Sequence, residues 1–261
     1  MSSKGYSQSA PLLVLKKISD ILDVFSLSRP ELTLAEIREA TGLPTSTVQR
    51  LIGNLVDQGF LDRTSNGIRV GVRMAYWAAP ASHGMEILDL VKPVLQELRD
   101  ETGETTAFFQ ASMGYRVCVA LAETRHLLRR TMHVGRILPI HAGSGGRVLL
   151  AWNDDLMARV LDGELSQVAK ATITDTEELR RAVEQTRIDG YAITSSENTS
   201  GASGISAPVF NAQADLVGAL TITGPVLRMP RDLCENWVEL LLAGAERITR
   251  MMGGRQPGMI G

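Results

Sequence analysis

Residues that crosslink small secreted proteins or bind metals are scarce in this chain. Only two of its 261 residues are cysteines, Cys118 and Cys234, and they lie 116 positions apart in apolar-rich segments. This spacing predicts neither a disulfide framework nor a zinc knuckle, so we expect two buried, unreactive thiols. The four histidines show no HxxxH spacing and have no cysteine or acidic cluster beside them in sequence. We therefore expect no metal and no other cofactor.

Long apolar runs are absent as well. No segment approaches the roughly 20 apolar residues that a membrane-spanning helix needs. The first eleven residues, MSSKGYSQSAP, are polar and lack the apolar core of a signal peptide. The sequence therefore predicts a cytoplasmic protein with no membrane partner.

Two enzyme motifs are missing. The glycine-rich stretch Gly143–Gly146 lacks the GxxxxGK[ST] pattern of P-loop proteins. The GISAP segment at Gly204–Pro208 places a serine beside a glycine but lacks the nucleophile elbow of hydrolases. These absences argue against a nucleotide hydrolase and a serine hydrolase, and we expect that the chain is not an enzyme.

An excess of positive charge is also lacking, because the chain has 27 Lys and Arg residues against 29 Asp and Glu residues. The net charge of −2 confines any DNA contact to one part of the chain. Residues 1–80 hold nine basic and seven acidic side chains, whereas the remainder is net acidic. This small asymmetry allows a local basic face in the N-terminal part.

Three helices are predicted near the N-terminus. From Leu12 to Phe25, apolar residues recur every three or four positions, which is the spacing of a buried helical stripe. Thr33 and Glu36 form a capping-box pattern at the start of a second helix, which the TGLP segment ends after about residue 40. A third helix is predicted over about 45–58.

A short hairpin is predicted after the third helix. Phe60-Leu61 and Ile68–Val70 are apolar segments separated by the polar tip Thr64–Gly67. Two helices joined by a short glycine turn and followed by a hairpin make a winged helix-turn-helix, which is a DNA-binding motif. The sequence predicts this domain over residues 1–79.

The remaining residues predict mixed helices and strands. A helix over about 85–102, after a break at Pro80–Gly84, is predicted to be the linker of residues 80–103. Beyond it the pattern predicts strands at about 105–110, 116–121, 191–196, 205–210 and 216–223, and helices at about 147–152, 156–161, 176–189 and 231–252. This irregular order favours an α+β domain over residues 104–255 rather than a parallel βαβ arrangement.

The segment LTLAEIREATGLPTSTVQRLIGNLVDQGFLDR, which ends at Arg63, resembles the N-terminal domain of IclR-type transcriptional regulators. Gly135 with Pro139–Ala142, Gly190–Ala192 and Gly218–Pro225 resemble the VGxRxPLHA, RxxGYA and AxSVSGP stretches of that family. In this order, the landmarks cover about residues 12–252. The resemblance implies a winged helix-turn-helix and a GAF-like, profilin-like mixed α/β effector domain, in a DNA-binding regulator controlled by a small molecule.

Several positions depart from the family pattern. Thr45 and Gln49 stand where the family usually has lysine and histidine, so the DNA contacts need not copy those of a relative. The acidic pair that often follows GYA is replaced by Thr194 and Ser195, which leaves only Glu197. A ligand that relatives recognise through that acidic pair would not be recognised here in the same way.

The start of the third helix is the candidate DNA-reading surface. Its short hydroxyls suit phosphates, and the amide and guanidinium suit base edges in the major groove. A capped surface helix with no DNA contact is the alternative. Lys16, Lys17 and a wing arginine can contact backbone phosphates. The predicted residues that bind double-stranded operator DNA are Thr45, Ser46, Thr47, Gln49, Arg50 and Arg69.

The resemblance also implies an effector pocket. A glycine-rich turn that enters a helix supplies amides for an anion, and Thr221 and Thr223 share one face of a strand. This chemistry suits a small carboxylate or an aromatic acid, whereas Leu138, Ile140 and Val209 favour a more apolar ligand. By resemblance, the effector-binding residues are Leu138, Ser144, Gly145, Thr194, Gly204, Thr221 and Thr223.

Two alternatives to an effector-responsive regulator stay open. The C-terminal domain could only oligomerise, or the chain could be an enzyme with an appended DNA-binding domain. A C-terminal domain without a cavity would favour the first, and a perturbed titratable pair in a cavity would favour the second. We expect a homodimer or tetramer, because one short recognition helix buries little surface and paired half-sites supply the missing affinity.

Overall fold

A computed structural model describes residues 13–26, 29–83, 86–127, 129 and 131–256. The chain divides into two compact units, Met1–Met85 and Glu86–Gly261. Each unit has its own hydrophobic core.

The described part of the first unit contains four helices and a three-stranded antiparallel sheet. Its elements are α1 (Leu13–Leu22), β1 (Glu31–Leu32), α2 (Leu34–Thr41), α3 (Thr45–Asp57), β2 (Leu61–Arg63), β3 (Ile68–Val70) and α4 (Val72–His83). The strand order is β1-β3-β2. The predicted helix-turn-helix (α2 and α3) and the predicted hairpin (β2 and β3) are confirmed.

Local interactions define both ends of α2. The Thr33 hydroxyl accepts a hydrogen bond from the Glu36 amide at 3.3 Å, and the Glu36 carboxylate accepts one from the Thr33 amide at 2.8 Å. This reciprocal capping box satisfies amides that have no partner inside the helix. At the other end, Gly42 has a φ of +64° and donates to the Arg38 carbonyl, so α2 ends at a left-handed residue.

Three features of the first unit differ from prediction. Pro80 lies within α4, so the break predicted to begin there is wrong, and Gly84 lies outside the described residues. Proline in a helix interior removes one backbone hydrogen bond and clashes with the preceding turn, which is why a break is expected, yet α4 continues through Pro80 to His83. The two-residue strand β1 is too short for any periodicity to reveal. The helix predicted from Leu12 ends at Leu22 rather than Phe25, and Leu12 itself lies outside the described residues.

In its described part, the second unit has six helices and a six-stranded sheet. They are α5 (Glu86–Thr102), β4 (Thr105–Ser112), β5 (Tyr115–Ala122), β6 (Ile137–Pro139), α6 (Ser144–Ala151), α7 (Asp154–Leu161), α8 (Thr176–Asp189), β7 (Ala192–Ser195), β8 (Ala202–Phe210), β9 (Leu216–Pro225), α9 (Arg231–Asn236) and α10 (Val238–Met251). The strand order is β6-β5-β4-β9-β8-β7, and every neighbouring pair is antiparallel. The predicted α+β class is confirmed. None of the helices in the described ranges has both the length and the apolar character that crossing a membrane requires.

Helices cover both faces of this sheet. The Thr106 hydroxyl donates to the Leu95 carbonyl at 2.6 Å, which places α5, the predicted linker helix, on one face. The neighbouring positions Ala107 and Phe109 point the other way and pack in a core with α6, α7 and α8. The helices α6 to α8 therefore lie on the face opposite α5.

Two helix predictions in the second unit need correction. Ser144 rather than Arg147 is the first residue of α6, so the predicted glycine-rich bend is largely helical. The single closing helix is interrupted at Trp237, whose φ of −92° and ψ of 0° lie outside the regular helical region. The edge strand β6, which pairs with β5, was not predicted.

Both cysteines are buried and form no disulfide, as predicted. Burial raises the pKa of the Cys118 thiol to about 12 and that of the Cys234 thiol to about 11. Because the thiolate is the reactive form, we expect iodoacetamide to modify neither residue in native protein at pH 8 and both after denaturation. Mass spectrometry of the alkylated chain measures this. Modification of either cysteine in the folded protein would contradict the placement.

Candidate functional site

The outer side of α3 carries five of the predicted DNA-binding residues. Thr45, Ser46, Gln49 and Arg50 are exposed, and Thr47 is half-buried. The opposite side of the helix packs into the core of the first unit through Val48, Leu51, Ile52 and Leu55. The first two turns of α3 therefore present hydroxyl, amide and guanidinium groups outward.

Arg50 extends from this surface. Its carbonyl accepts a hydrogen bond from Asn54 Nδ2 at 2.7 Å, whereas its guanidinium forms no ion pair with any described residue.

A groove between α2 and α3 is lined by Leu34, Ala35, Arg38, Thr45, Val48 and Gln49. The structure thus adds Arg38, which sequence reasoning missed, to the cations near the predicted contacts.

Arg69, the sixth predicted residue, lies on β3 of the wing. It is exposed and pairs with Asp62 of β2, with 3.7 Å between Nε and Oδ2. Exposed ion pairs of this kind contribute little free energy, so a phosphate can compete for the guanidinium. Lys16 and Lys17 lie on α1.

One pocket in the second unit brings together all seven predicted effector-binding residues. Leu138 belongs to β6, Ser144 and Gly145 to α6, and the other four to β7, β8 and β9. The remaining lining residues are Phe109, Arg116, Met132, Gly143, Glu197, Asn198, Thr199, Ala202 and Ser203, around a cavity of about 40 Å³. Their role in binding stays a prediction.

Hydroxyl groups from several elements meet in this pocket. Ser206 is fully buried and does not line the cavity, but its Oγ donates to Ser144 Oγ at 2.8 Å and lies 2.8 Å from Thr221 Oγ1, both of which do. The Ser144 amide donates to Thr194 Oγ1 at 2.9 Å. Thr223 Oγ1 donates to a β8 carbonyl, also at 2.9 Å. The pocket is therefore rich in groups that can both donate and accept hydrogen bonds.

Glycines let these elements approach one another. Gly143, directly before α6, has a φ of +87°, a conformation that side chains rarely adopt. A Cβ on Gly204 would lie 2.9 Å from Ser144 Oγ, which is closer than van der Waals contact allows. Gly143 and Gly204 thus allow close packing at the amino end of α6.

A buried arginine lines the pocket. Arg116 is 5% exposed. Its Nη1 donates to the Ala142 carbonyl, and its guanidinium carbon lies 5.5 Å from the centre of the Phe109 ring. Arg116 therefore brings a positive charge into a site where solvent screening is weak.

Glu197 is the acidic residue of the lining. Its carboxylate forms an ion pair with Arg147 and accepts a hydrogen bond from the Gly143 amide at 3.4 Å. Burial raises the pKa of Glu197, while the charges of Arg147 and Arg116 partly oppose that rise. The side chain is thus held at the amino end of α6.

Sequence reasoning missed Arg116 and misjudged two apolar residues. In β5, alternate residues from Arg116 to Ala122 are buried, so an arginine in the inward register was a signal that was available. Ile140 and Val209 are buried and do not line the pocket, which corrects the expected apolar lining. Both side chains pack within the core of the unit instead.

A winged helix-turn-helix followed by a second domain with a small polar pocket is the architecture of a DNA-binding transcriptional regulator with a separate ligand-binding domain. The family profile described as "IclR helix-turn-helix domain" matches residues 14–65. The profile described as "Bacterial transcriptional regulator IclR C-terminal" matches residues 79–250, which is more than half of the chain. The chain belongs to the IclR family of bacterial transcriptional regulators, and its C-terminal domain is the effector-binding domain of that family.

Individual relatives agree with this assignment. The chain is 28% identical over 236 residues to the HTH-type transcriptional regulator KipR of Bacillus subtilis, covering 89% of this chain and 94% of KipR. It is 26% identical over 247 residues to the transcriptional repressor IclR of Escherichia coli, covering 90% of this chain and 88% of that repressor. The solved structure of an IclR homolog from Microbacterium hydrocarbonoxydans, complexed with 4-hydroxybenzoate, is 25% identical in sequence and superimposes with a TM-score of 0.78. The match covers 92% of this chain and 98% of the homolog. The chain is accordingly a regulator and not an enzyme.

Proposed function

We propose that this regulator binds its operator through α3 and the β2–β3 wing, and that a small carboxylate in the pocket of the second unit changes its operator affinity. One observation carries the ligand assignment. A buried arginine, the amino end of α6 and the hydroxyls of Ser144 and Thr221, which hydrogen bonds to Ser206 link, converge on one cavity. Each of these groups stabilises a carboxylate oxygen.

The DNA-binding part of the proposal rests on α3. Its exposed hydroxyls suit phosphates, and Gln49 and Arg50 can each make two hydrogen bonds to a base edge. Arg38 adds positive charge in the groove beside Gln49, and Arg69 adds positive charge on the wing. A single helix of 13 residues contacts few base pairs, so we propose that a homodimer or tetramer binds paired half-sites.

The size of the cavity favours a carboxylate of few atoms over an aromatic acid. A volume of about 40 Å³ holds little more than a few water molecules. An aromatic acid such as 4-hydroxybenzoate, which the Microbacterium homolog binds, needs more room than this cavity provides. Acetate, propionate and lactate need less room.

Calorimetric titration of the full chain with acetate, propionate, lactate, benzoate and 4-hydroxybenzoate tests the ligand class. We expect binding by at least one of the small acids, and a weaker response in Thr221→Val, which keeps the size of the side chain and removes one hydroxyl. The same acid should shift the affinity for the chain's own upstream DNA. If no acid bound while selective DNA binding persisted, a C-terminal domain that only oligomerises would be the better account.

A further inference from the structure

We propose that Arg116 and Glu197 make the effector pocket selective for ligands that carry a single negative charge. This inference rests on the proposed function and narrows it from carboxylates in general to monocarboxylates. Arg116 attracts the first carboxylate, and Glu197 repels a second one.

The number of buried charges is the first argument. Among the residues that line the pocket, Arg116 and Glu197 are the charged ones. Arg147, which holds Glu197, has a side chain that is 15% exposed and adds a second positive charge at the edge of the site. Arg147 is paired with Glu197, so Arg116 is the arginine of the lining that an entering carboxylate meets. A second carboxylate would add a negative charge beside Glu197 in a weakly screened site.

The position of Glu197 is the second argument. Its carboxylate accepts from the Gly143 amide, so it already occupies part of the anion-binding end of α6. Its backbone is fixed as well, because Thr172 Oγ1 donates to the Glu197 carbonyl at 2.7 Å. The side chain is 12% exposed. A second acid group on a ligand that is bound at Arg116 therefore meets a fixed negative charge that cannot easily turn to solvent.

The third argument is the cost of that negative charge. Burial raises the pKa of Glu197 even though two arginines act against the rise. The ionised form is thus already disfavoured, and a second carboxylate nearby would disfavour it further. Like charges brought together in a buried site cost several kcal/mol in general.

Matched mono- and dicarboxylates test the selectivity. Propionate and malonate share a three-carbon chain and differ by one charge, and they are titrated into the full-length protein at pH 8. We expect propionate to bind at least about tenfold more tightly than malonate. In Glu197→Gln, which keeps the shape of the side chain, the ratio should fall below about threefold because malonate binds better. In Arg116→Gln both acids should lose binding, whereas Arg116→Lys should keep the order of affinities. Arg180→Gln on the exposed side of α8 is the control arginine.

The outcomes separate the two proposals. Equal affinity for both acids in the wild type, or an unchanged ratio in Glu197→Gln, would overturn the charge selectivity while the carboxylate pocket stands. Absence of binding by every acid would overturn the proposed ligand class and this inference with it. Because the wild-type comparison needs no variant, poor folding of Arg116→Gln leaves the test intact.

Discussion

Gly146→Ala is expected to destabilise the second unit by about 3 kcal/mol or more, because a side chain has no room there. A Cβ on Gly146 would lie 2.8 Å from the Ile140 carbonyl carbon, closer still to its oxygen, and 2.9 Å from Arg116 Nη1. The closest obstructing atoms belong to the Ile140 backbone, so a side-chain rotation cannot relieve the overlap. Urea unfolding followed by circular dichroism measures the loss.

Gly145→Ala is the matched control for this change. It alters the neighbouring residue of the same helical turn, and its Cβ would meet Thr221 Oγ1 at 3.4 Å and Phe109 at 3.5 Å, which are ordinary contacts. Alanine also favours the helix over glycine. We expect Gly145→Ala to fold with wild-type stability and to weaken carboxylate binding, because its methyl group enters the pocket. Equal stability of the two variants would contradict the close approach of α6 to Ile140.

This pair also shows where sequence reasoning about the second unit was limited. Glycine has a low helix propensity, so a run of glycines before Arg147 predicted a bend. In the structure the contact with the Ile140 carbonyl outweighs that propensity, and α6 begins at Ser144. The atom that leaves no room for a side chain at Gly146 is a carbonyl oxygen on a neighbouring segment. No pattern in the sequence around Gly146 predicts that contact.

Local signals predicted the helix-turn-helix much more closely. The capping box of Thr33 and Glu36 and the left-handed Gly42 lie within the segment they define, so their interactions are readable from neighbouring residues. The same is true of α8, predicted over 176–189 and observed as Thr176–Asp189, which begins after the capping residue Asp175. Elements whose ends are fixed by their own residues were thus predictable, whereas α4 and β6 were not.

The candidate pocket was predictable in its location but not in its charge. Resemblance gave the seven predicted positions, and the structure brings them together around one cavity. Arg116 and Glu197 come from a strand and a loop that are 81 positions apart, and only the folded sheet places both beside α6. In our proposal these two charges select the ligand, so its restriction to monocarboxylates required the structure, whereas a carboxylate ligand was already predicted from the sequence.

Arg50→Ala is expected to weaken binding to the operator about tenfold or more, while leaving binding to unrelated DNA much less affected. A bidentate contact between an arginine and a base contributes roughly 1–3 kcal/mol of discrimination. The residue is exposed and its guanidinium has no ion-pair partner among the described residues, so the loss of the side chain should not change stability measurably. Fluorescence anisotropy with the chain's own upstream DNA and with unrelated DNA, over a range of salt concentrations, measures both affinities.

Arg38→Ala separates base recognition from simple charge attraction. Arg38 lines the groove beside Thr45 and Gln49. If Arg38 contacts a phosphate, its replacement by alanine should weaken binding to both DNAs equally. The slope of log affinity against log salt concentration should also become shallower by about one. If Arg50→Ala produced that same uniform loss, Arg50 would be a phosphate contact and the base-reading residue would lie elsewhere on α3. A selective loss with Arg50→Ala and a uniform loss with Arg38→Ala would instead orient α3 in the major groove, with its first two turns toward the bases.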